Sequence, residues 1–302
     1  MANDHYHIPV LLHDAIDGLI TDVNGTYVDV TFGGGGHSAE ILNRLGDNGV
    51  LVGFDQDKDA EANIPDDKRF HFVRHNFAYL RNHLRMLRHT PVDGVLADLG
   101  VSSHHFDAAH RGFSFRFDAK LDMRMNQDVE LTAAKVLNTY EEESLVRLFS
   151  QYGEIKNSRK AARLVVAARN QKRLVFIRDL KDAIGDALPK GRENQYMAKL
   201  FQALRIEVND EMQVLADLLK QCVEVLKPGG KLIVITYHSL EDRMVKNFIR
   251  SGNLDGKLEK DFYGNVLKPF DAINRKVIIP TDEEIERNSR ARSAKMRMAV
   301  KQ

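Results

Sequence analysis

VDVTFGGGGHSAEIL at residues 28–42, followed by LVGFDQD at 51–57, decides how this chain folds. Val28 and Val30 lie in a short β-branched run, Gly33 to Gly36 break it, and Ala39, Ile41, Leu42 and Leu45 then recur at helical spacing. The order is strand, glycine turn, helix, strand, acid. Such a turn lets a ligand approach the backbone closely and aims the free N–H groups of a helix N-terminus at it. Asp55 closes the second strand about twenty residues after the glycines, where an acid can bind two ribose hydroxyls. It is expected to serve that ribose rather than the chain itself. The pattern predicts a cofactor that carries a nucleoside.

The spacing Gly34-x-Gly36-x-x-Ala39 also fits a nicotinamide-dinucleotide fingerprint, so the glycines alone do not choose the cofactor. The choice turns on LKPGGKLIVITYHSLEDR at 226–243, where a helix ends, Pro228-Gly229-Gly230 turns the chain and a β-rich run follows. That arrangement resembles the class I S-adenosylmethionine (SAM) methyltransferases more than the dehydrogenases. It implies an α/β, Rossmann-like fold with a doubly wound, mostly parallel sheet.

The 302 residues can bury a full core, and a formal net charge of +1 means that any nucleic-acid surface must come from local clustering. The chain has no long apolar run, and MANDHYHIPVLL does not read as a leader, so a cytoplasmic protein without membrane contact is expected. Cys222 falls among Leu218, Leu219 and Val223 and reads as a packed thiol. His5, His7 and His13 have no carboxylate or thiol partner at ligand spacing, and no metal site is expected.

After Asp55 the alternation continues with a strand at Phe70 to Val73, a helix from Phe77 to Arg88 and a strand at Gly94 to Asp98. The rhythm then stops. Helical patterns at 141–152, 154–169, 176–187 and from 194 onward predict an inserted helical, substrate-recognition domain over 107–205, leaving 1–106 and 206–302 as a discontinuous SAM-binding domain. The insert carries Arg159, Lys160, Arg163, Arg169, Lys172, Arg173, Arg178 and Lys181, a density that suits phosphates or a solvated helix face. The sheet resumes at Lys231 to Tyr237, with further strands expected at Lys276 to Ile279 and Ser293 to Val300.

DGVLADLGVSSHHFD at 93–107 runs a buried-looking strand into a glycine and two serines, placing Asp98 either at a ligand crevice or as a turn cap. TFGGGGH, DLGVSS, RGFSFRFDAKLDMRM at 111–125, FQALRIEVNDE at 201–211 and TYHSLEDR at 236–243 together resemble the bacterial 16S ribosomal RNA cytosine-N4 methyltransferase family. The resemblance implies methylation by SAM of the exocyclic amine of a cytidine in the decoding region of the small subunit. Partners would be 16S rRNA or the assembled small subunit, with the oligomeric state open and a homodimer one option. It further implies cofactor contacts from Gly35, Gly36, His37, Asp55, Phe77 and Asp98. His105 stands where relatives commonly carry Gln, so an imidazole replaces an amide beside the cofactor.

The N4 amine of cytosine shares its lone pair with the ring, so a hydrogen-bond acceptor on its protons and in-line alignment are what a catalyst can add. Asp98 and the Tyr237-His238-Ser239 strand end are the candidates for that wall, with Asp98 and His238 the catalytic pair. Ser239 with Asp242 also fits a helix capping box. The phenylalanines and arginines of 111–125 would either clamp an extruded base or anchor the insert. A nicotinamide-dependent oxidoreductase and an inactive RNA-binding assembly factor are the competing classes.

Overall fold

The computed structural model describes residues 9–101, 108–274 and 276–302. They divide into two compact units, Met1–Gly100 with Met212–Gln302, and Val101–Glu211. In chain order the first unit supplies α1 (Leu12–Leu19), β1 (Thr26–Asp29), α2 (Gly36–Arg44), β2 (Val50–Phe54), β3 (Phe70–Val73), α3 (Leu80–Leu87) and β4 (Val92–Asp98). The second unit holds α4 (Ala133–Thr139), α5 (Glu142–Gln151), α6 (Ser158–Gln171), α7 (Ile177–Ile184) and α8 (Glu193–Asn209). The chain then returns through α9 (Glu211–Val225), β5 (Leu226–Thr236), α10 (Ser239–Ser251), β6 (Phe270–Ala272), α11 (Asp282–Arg287) and β7 (Lys295–Lys301).

The seven strands form one sheet in the order β3-β2-β1-β4-β5-β7-β6, parallel from β3 to β5, with β7 antiparallel to both of its neighbours. Both faces are covered, which is why β1 and β4 read as nearly continuous apolar runs. Ala15, Ile16 and Leu19 of α1 pack with Ile41 of α2 on one face, against Tyr27, Leu51 and Ile233. Leu80, Leu84, Leu218, Cys222, Val245 and Phe248 pack on the other, against Val28, Val52 and Val95. Complete burial pushes the Cys222 thiol up, as a packed thiol requires. The Tyr27 hydroxyl, buried beneath the sheet, donates to the Asp22 carbonyl and accepts from the Thr21 and Asp22 amides. Among the described residues no helix is long and apolar enough to cross a membrane.

Three local expectations change. Pro228-Gly229-Gly230 does not separate helix from strand but lies inside β5 as a bulge: Val92 pairs with Leu226 and Gly94 already with Lys231. Lys276 to Ile279 is not a strand, since beyond one bridge from Ile278 to Met296 the edge is taken by β6. Glu154 adopts φ 49, in the left-handed region, so α6 begins four residues later than its periodicity suggests.

The second unit has its own core, built on Leu145, Phe149, Val165, Leu200 and Leu204. Its boundaries lie outside 107 and 205, because α8 runs on to Asn209, whose side chain accepts from the Met125 amide and donates to the Met123 carbonyl. Most of RGFSFRFDAKLDMRM is spent inside this unit. Phe113 is buried, Phe115 meets Phe201 edge-on at 5.4 Å, and the buried Arg111 guanidinium donates to the Arg124 and Met125 carbonyls. Arg124 clamps Asp122 and reaches two further carbonyls. Phe117 alone of the three phenylalanines is half exposed.

Asp179 starts α7 by accepting the Val175 and Phe176 amides at 3.0 and 2.8 Å. With the Lys172 ammonium and these amides it is held down at about 2, below the ordinary 3.8. A depressed folded-state pKa means stability that is complete above about pH 4 and lost as pH falls towards 2. Asp179→Ala is expected to cost roughly 1–2 kcal/mol at neutral pH. Denaturant titrations should show that gap closing near pH 2, and a gap of constant size would contradict this account.

Candidate active site

The carboxyl ends of β1, β2 and β4 converge where the strand order reverses, the place at which open α/β sheets bind ligands. Val30 and Phe32 leave β1 still bonded to the Leu96 and Phe54 carbonyls, so the chain enters the glycine turn from a fixed direction. Gly33 and Gly35 take φ 51 and 76, values that residues with a Cβ rarely adopt. Gly35 caps α2 and turns against the Phe32 ring, where a Cβ would lie 3.2 Å from Cε2. Gly36 abuts Pro9, whose Cγ would be 2.3 Å from an added Cβ. Gly34 is exposed with no atom within 4 Å of where a Cβ would stand. The loop therefore presents open backbone at Gly34 and is wedged shut behind Gly35 and Gly36, as a cradle for a polar ligand requires.

Asp55 lies immediately after β2. Its Oδ2 accepts the Gly33 amide and its Oδ1 the Asp57 amide, both at 2.8 Å. The expectation that its partners would be ribose hydroxyls alone is thus corrected: the acid also ties the glycine turn to the end of β2. An ionised carboxylate can accept roughly four hydrogen bonds, so both tasks are compatible. Phe77 opens a single 3-10 turn, Phe77–Tyr79, and is partly buried against the core. That turn is joined to the Asp55 loop by Asn76, which donates to Gln56 at 3.0 Å.

Asp98 ends β4. Its amide donates to Thr31 Oγ1 at 2.7 Å, and its carboxylate receives the Tyr237 hydroxyl. Burial and that acid hold the Tyr237 phenol well above its usual range, so it stays a donor at neutral pH. Among the described residues the turn-cap reading of Asp98 has one contact, the Gly100 amide at 3.4 Å. Gly100 lies flat on Tyr237, where a Cβ would be 2.8 Å from the ring. His37 is buried; its Nε2 donates to the Val10 carbonyl at 3.1 Å, leaving Nδ1 3.8 Å from Asp98 Oδ2, beyond hydrogen-bond reach. Beneath them Asp29 is fully buried, accepting Ser38 Oγ at 2.7 Å and the Thr31 amide at 3.0 Å. Burial raises its pKa, against the opposing pull of His37, Ser38 and Thr31.

His238 is the N-cap of α10: Nδ1 accepts the Glu241 amide at 3.4 Å, while Glu241 Oε2 accepts the Tyr237 and His238 amides at 2.9 and 3.2 Å. The capping box thus lies one residue earlier than the Ser239–Asp242 pairing expected from the sequence, and Asp242 instead binds Arg297 at 2.7 Å. His105 lies outside the described residues, as do His5 and His7. Thr31, Asp29 and Ser38 were not among the expected residues; a polar pair at a strand end just before a glycine run was the available signal.

The strand order with its antiparallel β7, the glycine turn after β1 and the acids after β2 and β4 define a class I SAM-dependent methyltransferase. The chain belongs to the MraW methylase family, whose model matches residues 4–302. It is similar to the protein named ribosomal RNA small subunit methyltransferase H of Bacteroides fragilis, 58% identical over 296 residues, covering 98% of this chain and 97% of that one. The protein of the same name from Flavobacterium johnsoniae is 54% identical over 296 residues, covering 98% of each. A solved rRNA methylase from Streptococcus thermophilus aligns over 96% of this chain and 93% of its own at 12% identity and a TM-score of 0.41.

Asp55→Ala should therefore act twice. If Asp55 binds the ribose as its position in the sequence implies, its removal weakens SAM binding by about 3–5 kcal/mol, and release of the Gly33 amide lowers folding stability by roughly 1–3 kcal/mol. Calorimetry with SAM and thermal unfolding read the two separately; unchanged SAM affinity would remove Asp55 from the site.

Proposed function

We propose that this protein transfers the methyl group of SAM to the exocyclic N4 amine of a cytidine in the decoding region of 16S rRNA. Membership of the MraW methylase family over residues 4–302 carries the reading, together with relatives named small subunit rRNA methyltransferases. Gly35, Gly36, His37, Asp55 and Phe77 would hold the cofactor with Asp98 close to its methyl group, and the open backbone at Gly34 fits a group that must approach closely. When bound, SAM supplies a methyl group activated by its sulfonium.

The chain's own task is to make a poor nucleophile reactive. Asp98 would accept a hydrogen bond from the amine, raising electron density on nitrogen and fixing its orientation. The Tyr237 hydroxyl holds that carboxylate and Thr31 Oγ1 fixes the backbone beneath it by accepting the Asp98 amide, so the acid needs little reorganisation when the amine arrives. We assign His238 to positioning: through its cap with Glu241 it fixes the strand end that carries Tyr237. The test is transfer from labelled SAM to small subunits and to 16S rRNA, followed by mass spectrometry of the nucleosides; a product other than N4-methylated cytidine would refute the reading.

The second unit would recognise the RNA. Several of its cations are already engaged. Arg169 donates to the Leu137 and Tyr140 carbonyls, Lys172 pairs with Asp179, Arg178 with Asp118, and Lys160 and Lys181 reach the Asp186 and Phe115 carbonyls. Arg159 and Arg163 are exposed and, with Arg147, line a surface cavity of about 610 Å3 edged by Glu142 and Glu143. These arginines are the phosphate ligands we propose.

Asp98→Ala should leave SAM affinity nearly intact and lower turnover about 100-fold or more. Equal losses in both would make it a cofactor ligand only. The double variant Arg159→Glu with Arg163→Glu should weaken rRNA binding most at low salt and reduce the salt slope by about 2, one per lost phosphate contact, with SAM binding unchanged. Wild-type RNA affinity would return this face to solvent.

A further inference from the structure

The segment between α10 and β6 holds two large aromatic side chains in water. Lys260 bridges Val266 in antiparallel fashion, and the Leu267 and Asp261 amides donate to the Glu259 and Asn265 carbonyls at 2.8 and 2.9 Å. At the tip Asp261 Oδ1 accepts the Tyr263 and Asn265 amides at 2.9 and 2.8 Å, and Gly264 takes φ 89. The base is fastened to α10 by Arg250 to the Gly256 carbonyl and by Asn247 to the Leu254 carbonyl. This rigid hairpin carries Phe262, 97% exposed, and Tyr263, 86% exposed. Hydrogen bonds that hold a tip in one shape while two rings face solvent serve contact with something outside the chain.

What the tip would meet is indicated by charge. Arg243, Lys246 and Arg250 are exposed at i, i+3 and i+7 on α10 and form one stripe leading to the hairpin, where Lys257 and Lys260 continue it. Arg243, Lys246, Lys257 and Lys260 form no ion pair among the described residues, whereas Asp261 is turned inward to the turn it holds. Cations following a path that ends in two exposed rings match a polyanion whose bases offer faces for stacking.

We propose that α10 and this hairpin form a second RNA-binding surface, with phosphates along Arg243, Lys246 and Arg250 and unpaired bases stacked on Phe262 and Tyr263. The inference rests on an rRNA substrate. α10 starts at the ligand end of β5 and runs 13 residues back along the sheet, about 20 Å, so the surface grips RNA remote from the acceptor base. It therefore adds to substrate affinity and leaves the transfer step alone.

The double variant Phe262→Ser with Tyr263→Ser, in the full chain, is expected to raise KM about tenfold for both deproteinised 16S rRNA and intact small subunits. Its kcat and its affinity for SAM should be those of the wild type. A rise in KM with subunits but not with naked rRNA would assign the tip to a ribosomal protein and overturn the proposal, as would an unchanged KM with both. Because the chain has no tryptophan, Phe262→Trp gives a single tryptophan at the tip, excited selectively above the tyrosine band. Its emission should be quenched by single-stranded RNA, and unquenched emission at saturating RNA would equally overturn it. This binding signal does not depend on turnover, so a wild-type protein that fails to methylate rRNA would count against the proposed function and not against the hairpin.

Discussion

The hydrogen bond from the Gly33 amide to the Asp55 carboxylate, 2.8 Å long, is the interaction on which the candidate site depends. Four consecutive glycines are a poor foundation, because glycine loses more backbone freedom on folding than any other residue. Left to itself such a turn would sample many shapes. Asp55 takes the first amide of the run from the neighbouring strand, Asn63 takes the Gly33 carbonyl at 2.9 Å, and Pro9 and Phe32 close off the far end. Gly34 is left with open space around it. The turn is thus flexible in composition and fixed in place.

The same logic extends across the sheet. Thr31 accepts the Asp98 amide, and Asp29 beneath it fixes Thr31 and Ser38. The ends of β1, β2 and β4 are consequently joined by side chain to backbone bonds, which are short-range and directional where strand pairing has already stopped. Asp29 is costly to bury, as its raised pKa records, and three hydrogen bonds offset the cost. Such buried polar groups are retained where a unique arrangement matters more than stability alone, and here the arrangement is the one that positions Asp98.

Periodicity and turn chemistry made most of the parallel half of the sheet legible, because β1, β2, β4 and β5 carry β-branched residues and are bounded by glycine or an acid, while β3 is marked chiefly by its alternating phenylalanines. They failed where a residue's role depends on distant partners. Lys276 to Ile279 is β-branched like a strand, but the place beside β7 is filled by Phe270–Ala272, a segment too short to show any pattern. The capping box of α10 was displaced by one residue because Glu241 also reaches the Tyr237 amide, a bond no local motif encodes. Asp55 was legible as an acid in the right place, but its hold on Gly33 was not, since nothing in LVGFDQD points back across the sheet. His105 departs from the family pattern at a position the described residues do not include.

Charge was the least legible property, and the reason is general. A net charge of +1 says nothing about whether this protein can hold RNA, because an arginine's meaning is set by what its guanidinium already touches. Arg111, Arg124 and Arg169 read in the sequence as cations, yet each is spent on backbone carbonyls that would otherwise be left without donors. Their five N–H groups suit them to that work, which a lysine performs poorly. Arg243 and Lys246, by contrast, are exposed on a helix and form no ion pair among the described residues. Density of basic residues along the chain therefore overstates the insert and overlooks α10, and only the partner of each side chain separates a cation that builds the fold from one that can meet a phosphate.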